Sequence, residues 1–141
     1  MALNVSEAMK SAFKQLSVLF VEDDKNARES MSVILGQIFG RVELAADGCE
    51  GLEIYKNRES DIILTDLWMP LKSGIDMIRE IRDLNLDSVV VVMSAYDIPN
   101  YDKQVEGLNI ECFLKKPFCL EDLEDCLVHV ATKAAKTKGL V

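Results

Sequence analysis

Residues 62–70 read IILTDLWMP. Ile62, Ile63 and Leu64 form a short apolar run suited to a strand covered on both faces, as in a parallel sheet. Asp66 then places a carboxylate at the end of that run, just before Leu67-Trp68-Met69-Pro70 turns the chain away. An ionised carboxylate removed from water is costly unless cations or hydrogen-bond donors meet it. The stretch therefore asks for a buried parallel strand and for partners to Asp66 supplied from elsewhere in the chain.

Working outward, similar runs recur at Val18–Val21, Val89–Met93 and Cys112–Leu114, while Val42–Ala45 alternates and suits a less buried strand. Helical periodicity lies between them. Ala27, Met31, Ile34, Leu35 and Ile38 share one face, with Asp24 as N-cap and Gly40 as terminator. Leu52, Ile54 and Tyr55 suit a second helix, and Ile75, Ile78, Ile81 and Arg82 a third. Asp97–Gly107 is polar, interrupted by Pro99 and weakly periodic, and is expected as the fourth; Leu120, Leu123, Leu127, Val130, Ala131 and Ala134 form the stripe of the fifth. Five strands, each followed by a helix, imply an α/β fold with a parallel sheet and helices on both faces. Val5, Ala8, Met9, Ala12, Phe13 and Leu16 make an additional N-terminal amphipathic helix, expected to pack on the domain, with partner binding as the alternative. The expected division is 1–16 as this extension, 17–134 as the domain, and 135–141 as a basic tail or the start of a linker.

Composition narrows the function. With 141 residues the chain holds one domain with a real core. Asp plus Glu outnumber Lys plus Arg by 24 to 16, and a net charge of −8 argues against direct nucleic-acid binding by this chain. Cys49, Cys112, Cys119 and Cys126 form no C-x-x-C pair, and one histidine, His129, is too little for a Cys/His zinc site. No segment is apolar for long enough to enter a membrane, and the charged N-terminal helix is no signal peptide, so a cytoplasmic location is expected.

Ligands of open parallel sheets bind beyond the carboxyl ends of the strands. Glu22, Asp23 and Asp24 stand there after strand one, Asp66 after strand three, Ser94 after strand four, and Lys115 and Lys116 after strand five. Clustered carboxylates raise one another's pKa unless a cation joins them, and an oxygen-only donor set suits a hard ion such as Mg²⁺, with Mn²⁺ as an alternative. A lysine and a hydroxyl facing that ion suit a phosphoryl group. The chemistry suggested is phosphoryl transfer to Asp66 as nucleophile.

The residues VLFVEDD, DIILTDLWMPLKSG, VVMSA and FLKKPF resemble the motifs of two-component response-regulator receiver domains. Their intervals are compatible: 43 residues from Asp23 to Asp66, 28 to Ser94 and 22 to Lys116. The resemblance implies a (βα)5 flavodoxin-like three-layer sandwich of strand order 2-1-3-4-5, an order known for the family's chemotaxis member. It implies Asp66 as phosphoacceptor, and Glu22, Asp23, Asp66 and the backbone carbonyl of Trp68 as Mg²⁺ ligands. Lys116, before a commonly cis Pro117, becomes the phosphate-contacting lysine, and Ser94 and Phe113 become the switch pair. Trp68 and Tyr96 take the positions that govern water access to the phosphoryl group, so slow dephosphorylation is expected.

A bacterial receiver of this kind takes its phosphate from a histidine kinase or histidine phosphotransfer protein. It then shifts the face formed by strand four, the following helix and strand five. That face controls a protein partner or an output domain, of which none is recognisable after residue 134; dimerisation stays open. Such a protein modifies itself and is not a turnover enzyme. Two alternatives are a degenerate receiver acting as a phosphorylation-independent binding module, and an aspartate-nucleophile phosphatase. The latter expects a second aspartate where Trp68 stands. His129 lacks a phosphocarrier's usual neighbours and reads as an ordinary surface or partly buried histidine.

Overall fold

The computed structural model describes residues 3–85, 87–95 and 100–141. Its elements in chain order are α1 (Glu7–Phe13), β1 (Ser17–Val21), α2 (Lys25–Ile38), β2 (Arg41–Ala45), α3 (Gly48–Asn57), β3 (Ile62–Asp66), α4 (Gly74–Leu84), β4 (Val89–Ser94), α5 (Tyr101–Gln104), β5 (Ile110–Lys115) and α6 (Leu120–Thr137). The five strands form one parallel sheet of order β2-β1-β3-β4-β5. This is the flavodoxin-like three-layer arrangement.

Alternation along each strand divides the core. Val18, Phe20, Ile62, Leu64, Val91 and Met93 face α1, α2 and α6. Leu19, Val21, Ile63, Val90 and Val92 face α3 and α4. Strands β1 and β4 are buried throughout, whereas β2, at the sheet edge, is only partly covered apart from Ala45. Burial of one such aliphatic side chain contributes roughly 1.5–3 kcal/mol, so the central strands fix the platform on which the rim stands.

The N-terminal helix is shorter than the sequence stripe. Ser6 caps it by accepting from the Met9 amide, and Leu16 is buried after the helix has ended. Ala12, Phe13, Leu16 and Leu3 join the core on the α6 side, so α1 packs on the domain. Gly40 does not terminate α2 with a left-handed conformation: the cap is Phe39, with extended backbone. Glycine is required for space, since a Cβ there would lie 2.0 Å from the Lys14 carbonyl oxygen. Leu120 opens α6 but is exposed, unlike Leu123, Leu127, Val130, Ala131 and Ala134. Helix α6 runs on past Ala134 to Thr137, where Gly139, at φ +72°, lets the Leu140 amide reach back to the Ala135 carbonyl at 2.9 Å. No helix among the described residues is long and apolar enough to cross a membrane.

The expected helix over 97–107 is, among the described residues, a single turn at Tyr101–Gln104; residues 97–99 lie outside them. Its N-cap Asn100 is left-handed, at φ 58°, and makes no side-chain capping bond. Arginines of α4 hold this region. Arg79 donates to the Gln104 carbonyl at 2.8 Å, and Arg82 donates to the carbonyls of Leu108 at 2.7 Å, Ser88 at 2.7 Å and Asn109 at 3.2 Å. Arg82 is 7% exposed and Arg79 is on the surface. On urea denaturation Arg82→Met is expected to lose about 2–3 kcal/mol, because it strands buried carbonyls. Arg79→Met is expected to lose less than about 1 kcal/mol, as exposed polar contacts do. Equal losses would contradict this division.

Candidate functional site

The strand register assembles the site. Val21 pairs with Thr65, so Glu22 and Asp66 leave adjacent strands at the same level. Asp66 pairs with Met93, one step before Ser94, and Ser94 pairs with Lys115. The Lys116 amide then donates to the Ser94 carbonyl at 2.9 Å, and the Lys116–Pro117 peptide is cis. Four segments distant in sequence thus meet at one rim.

There the Lys116 ammonium donates to Glu22 Oε1 at 2.8 Å and to Asp66 Oδ2 at 2.8 Å. The Glu22 side chain is 4% exposed and that of Asp66 13% exposed, so this ion triad is substantially withdrawn from solvent. Burial pushes the Glu22 carboxyl above its usual range; the Lys116 hydrogen bond opposes this and the nearby Asp66 adds to it. For Lys116 burial works downward, but the hydrogen bonds and charges of Asp66 and Glu22 outweigh it and hold the ammonium above its ordinary range. Asp23 is exposed, and Asp24 caps α2 by accepting from the Asn26 amide at 3.3 Å. Asp24 is therefore a helix cap, while Asp23 belongs to the acid cluster.

Carboxylate oxygens of Glu22, Asp23 and Asp66 all lie within 4.8 Å of one another. Glu22 Oε2 is buried with no hydrogen-bond partner among the described residues. An orphaned buried carboxylate oxygen beside two further acids fits a hard divalent cation such as Mg²⁺, which takes oxygen ligands. Trp68 is connected to the site by its amide, which donates to Asp66 Oδ1 at 3.1 Å, while its side chain is 48% exposed. Ser94 is fully buried at the end of β4. Phe113, on β5, is 40% exposed and packs edge-on against Tyr101 with ring centroids 5.3 Å apart. Tyr96 lies outside the described residues. His129 is 60% exposed and bonded to Glu111 at 2.9 Å, remote from the acids in role. An open groove of about 540 Å³ runs alongside Glu22 and Lys116, walled by Ala27, Met31, Pro117 and Phe118.

Three supporting residues escaped the sequence reading. Arg28 donates to the carbonyls of Glu22 at 2.8 Å and Asp23 at 3.2 Å, fixing the acidic loop from the first turn of α2. The Thr65 hydroxyl donates to the Asp66 carbonyl at 2.8 Å. Gly74 begins α4 over that same carbonyl: a Cβ would lie 2.2 Å from the Asp66 oxygen. An arginine shortly after three acids, and a glycine eight residues after the aspartate, were the available signals.

Comparison with known proteins agrees with this geometry. The sequence pattern of the response regulator receiver domain matches residues 18–128. The chain is 35% identical over 108 residues to response regulator MprA of Mycobacterium sp. (strain KMS), covering 75% of this chain and 46% of that protein. It is 31% identical over 110 residues to transcriptional regulatory protein DltR of Streptococcus agalactiae serotype III (strain NEM316), covering 77% and 48%. The chain thus spans about half the length of these curated relatives. Among solved structures, the N-terminal domain of an uncharacterized protein (WS1339) from Wolinella succinogenes aligns with TM-score 0.77 and 34% identity, over 86% of this chain and 98% of that one. Chemotaxis response regulator CheY4 of Vibrio cholerae aligns with TM-score 0.73 and 26% identity, over 82% and 98%.

The raised Glu22 pKa has a signed consequence for stability. A carboxyl whose folded pKa exceeds its ordinary value of 4.5 stabilises the fold fully below that value. The contribution is lost as pH rises through the higher folded value. In chelator at neutral pH, Glu22→Gln is therefore expected to melt at a higher temperature than the wild type. The difference should close as pH falls below about 4.5, where Glu22 is neutral in both states. A Glu22→Gln protein that melts lower at neutral pH would contradict the burial cost.

Proposed function

The chain belongs to the response-regulator receiver domain family, and from that premise we propose that it is a phosphorylation-controlled signalling receiver with Asp66 as phosphoacceptor. The observation that carries this reading is the Lys116 ammonium, 2.8 Å from both Asp66 and Glu22 at the carboxyl ends of three strands. An exposed nucleophile would need no such cation. One held among other acids does, because incoming phosphoryl oxygens add further negative charge.

The donor is a histidine kinase or histidine phosphotransfer protein, reaching Asp66 along the groove walled by α2 and the loop after β5. An Asp66 carboxylate oxygen forms the new P–O bond as the donor's P–N bond breaks, leaving the histidine to take up a proton. Lys116 turns its N–H groups to the transferred oxygens. Glu22, Asp23, Asp66 and the Trp68 carbonyl would hold Mg²⁺, or Mn²⁺, which when bound neutralises charge between carboxylate and phosphoryl group. Arg28 and Gly74 are positioning residues that set the backbone of the acids.

Ser94 then turns its hydroxyl to a phosphoryl oxygen, and Phe113 moves into the space released. The outward, half-exposed ring of Phe113 and the short, uncapped α5 support a two-state element at β4, α5 and β5. That face controls a partner protein or an output domain of a longer regulator. The chain acts on its own Asp66 and turns over no separate substrate. Residues 17–134 form the receiver unit in this reading, with 1–16 as its packed extension and 135–141 as tail or linker.

Incubation with acetyl phosphate and Mg²⁺ is expected to add the mass of one phosphoryl group, and Asp66→Ala to abolish the gain. Labelling that persists in Asp66→Ala would overturn the assignment. Lys116→Ala should still fold but accept phosphate at least about tenfold more slowly, a rise of ~1.4 kcal/mol in the barrier.

Trp68 and Tyr96 shield the phosphoryl group from water in the same reading. Replacing them by serine and asparagine should shorten the acyl-phosphate lifetime by about tenfold, followed by loss of the mass gain with time. An unchanged lifetime would show that neither ring limits hydrolysis.

A further inference from the structure

The four cysteines have different surroundings: Cys49 and Cys119 are exposed, Cys112 is partly buried and Cys126 is buried. In a regular strand Glu111 and Cys112 would point to opposite faces. The β4–β5 register shifts here, Val90 pairing with Ile110 and Val91 with Cys112, so that Glu111 is the extra residue of a bulge. Glu111 reaches His129 and Lys133 on α6, and Cys112 also packs against the α6-side core, which contains Cys126. Cys112 on β5 and Cys126 on α6 therefore share one packed layer and one groove wall. Both line an open groove of about 420 Å³ with Asp122, Asp125 and His129, which admits a small polar reagent.

We propose that Cys112 and Cys126 form a dithiol oxidised by hydrogen peroxide, a modification site that closes to a disulfide tying β5 to α6. The sulfur of Cys112, the more accessible thiol, attacks one peroxide oxygen. The O–O bond breaks, giving a sulfenic acid on Cys112 and one water. The Cys126 sulfur then attacks the Cys112 sulfur and expels its hydroxyl as a second water. Two thiols and one hydrogen peroxide thus become one disulfide and two waters, the two electrons passing from sulfur to oxygen.

Burial, and then the neighbouring Cys112, push the Cys126 thiol well above its usual range. A thiol held protonated attacks slowly, so closure of the disulfide by Cys126 is the slower of the two steps. The bond would fix β5 one residue before Phe113, without requiring any chemistry at Asp66.

The test uses the full chain carrying Cys49→Ser and Cys119→Ser, both at exposed positions. After hydrogen peroxide, removal of excess oxidant and alkylation under denaturing conditions, no free thiol is expected. The intact mass should fall by two hydrogens, reductant should restore both thiols, and peptide mapping should join the Cys112 and Cys126 segments. Two thiols still open to alkylation, oxygen gained without a cross-link, or a disulfide between two chains would overturn the proposal. Cys126→Ala in the same background should leave a Cys112 sulfenic acid trapped by dimedone; its absence would overturn the order of attack. In the wild-type chain the same peptide pair should form, and a bond to Cys49 or Cys119 instead would also overturn it.

Discussion

One ammonium makes the carboxyl rim tenable. Glu22 and Asp66 leave neighbouring strands at the same level, both largely withdrawn from water, and Lys116 stands 2.8 Å from each. Two like charges a few ångströms apart in a partly buried site repel by about 4 kcal/mol, so the cation must be in place rather than merely nearby. Its placement is a matter of backbone. The register of β4 and β5 brings Lys115 opposite Ser94, and the Lys116 amide is bonded to the Ser94 carbonyl. The charge balance of the site therefore depends on the pairing of the last strand, the one farthest from β1 in the sequence.

The fold spends its stability unevenly. β1, β3 and β4 present near-continuous apolar surface to both layers and hold the acids still. On the α5 side, Tyr101, Val105 and Leu108 pack on the core, and arginines of α4 grasp main-chain carbonyls of Gln104, Leu108 and Asn109. The exposed Arg79 contact can be exchanged for water at small net cost, whereas the buried Arg82 bonds and interdigitated valines cannot. The proposed switch places its moving part at this less regular segment and its fixed acids on the buried strands.

Much of this was legible in the sequence because strong patterns and chemistry agreed. The apolar strand runs, the Asp24 cap and the α6 stripe follow from solvent exclusion and helix periodicity, and the rim residues follow from strand ends. Gly40 was misread because sequence suggests conformational freedom at a helix end, while the chain needs space against the Lys14 carbonyl. Leu120 continues the stripe of α6 but precedes the turn that meets the sheet, so periodicity alone overcounted. Thr65 was missed because its target is a carbonyl, which has no signature in the side-chain alphabet, and Arg28, also aimed at carbonyls, was hinted at only by its place after three acids. The bulge at Glu111 was equally invisible: it is a property of pairing, and only the partner strand reveals it.

That bulge has a consequence for how molecules meet. β5 is the open edge of a parallel sheet, and a long flat edge is a template on which another chain can add a strand. The extra residue at Glu111 bends the edge, and the ion pairs it makes with α6 place charge beside it. A neighbouring molecule therefore finds side chains to dock against but no continuous row of main-chain partners. A bent, charged edge of this kind disfavours strand-to-strand addition between copies.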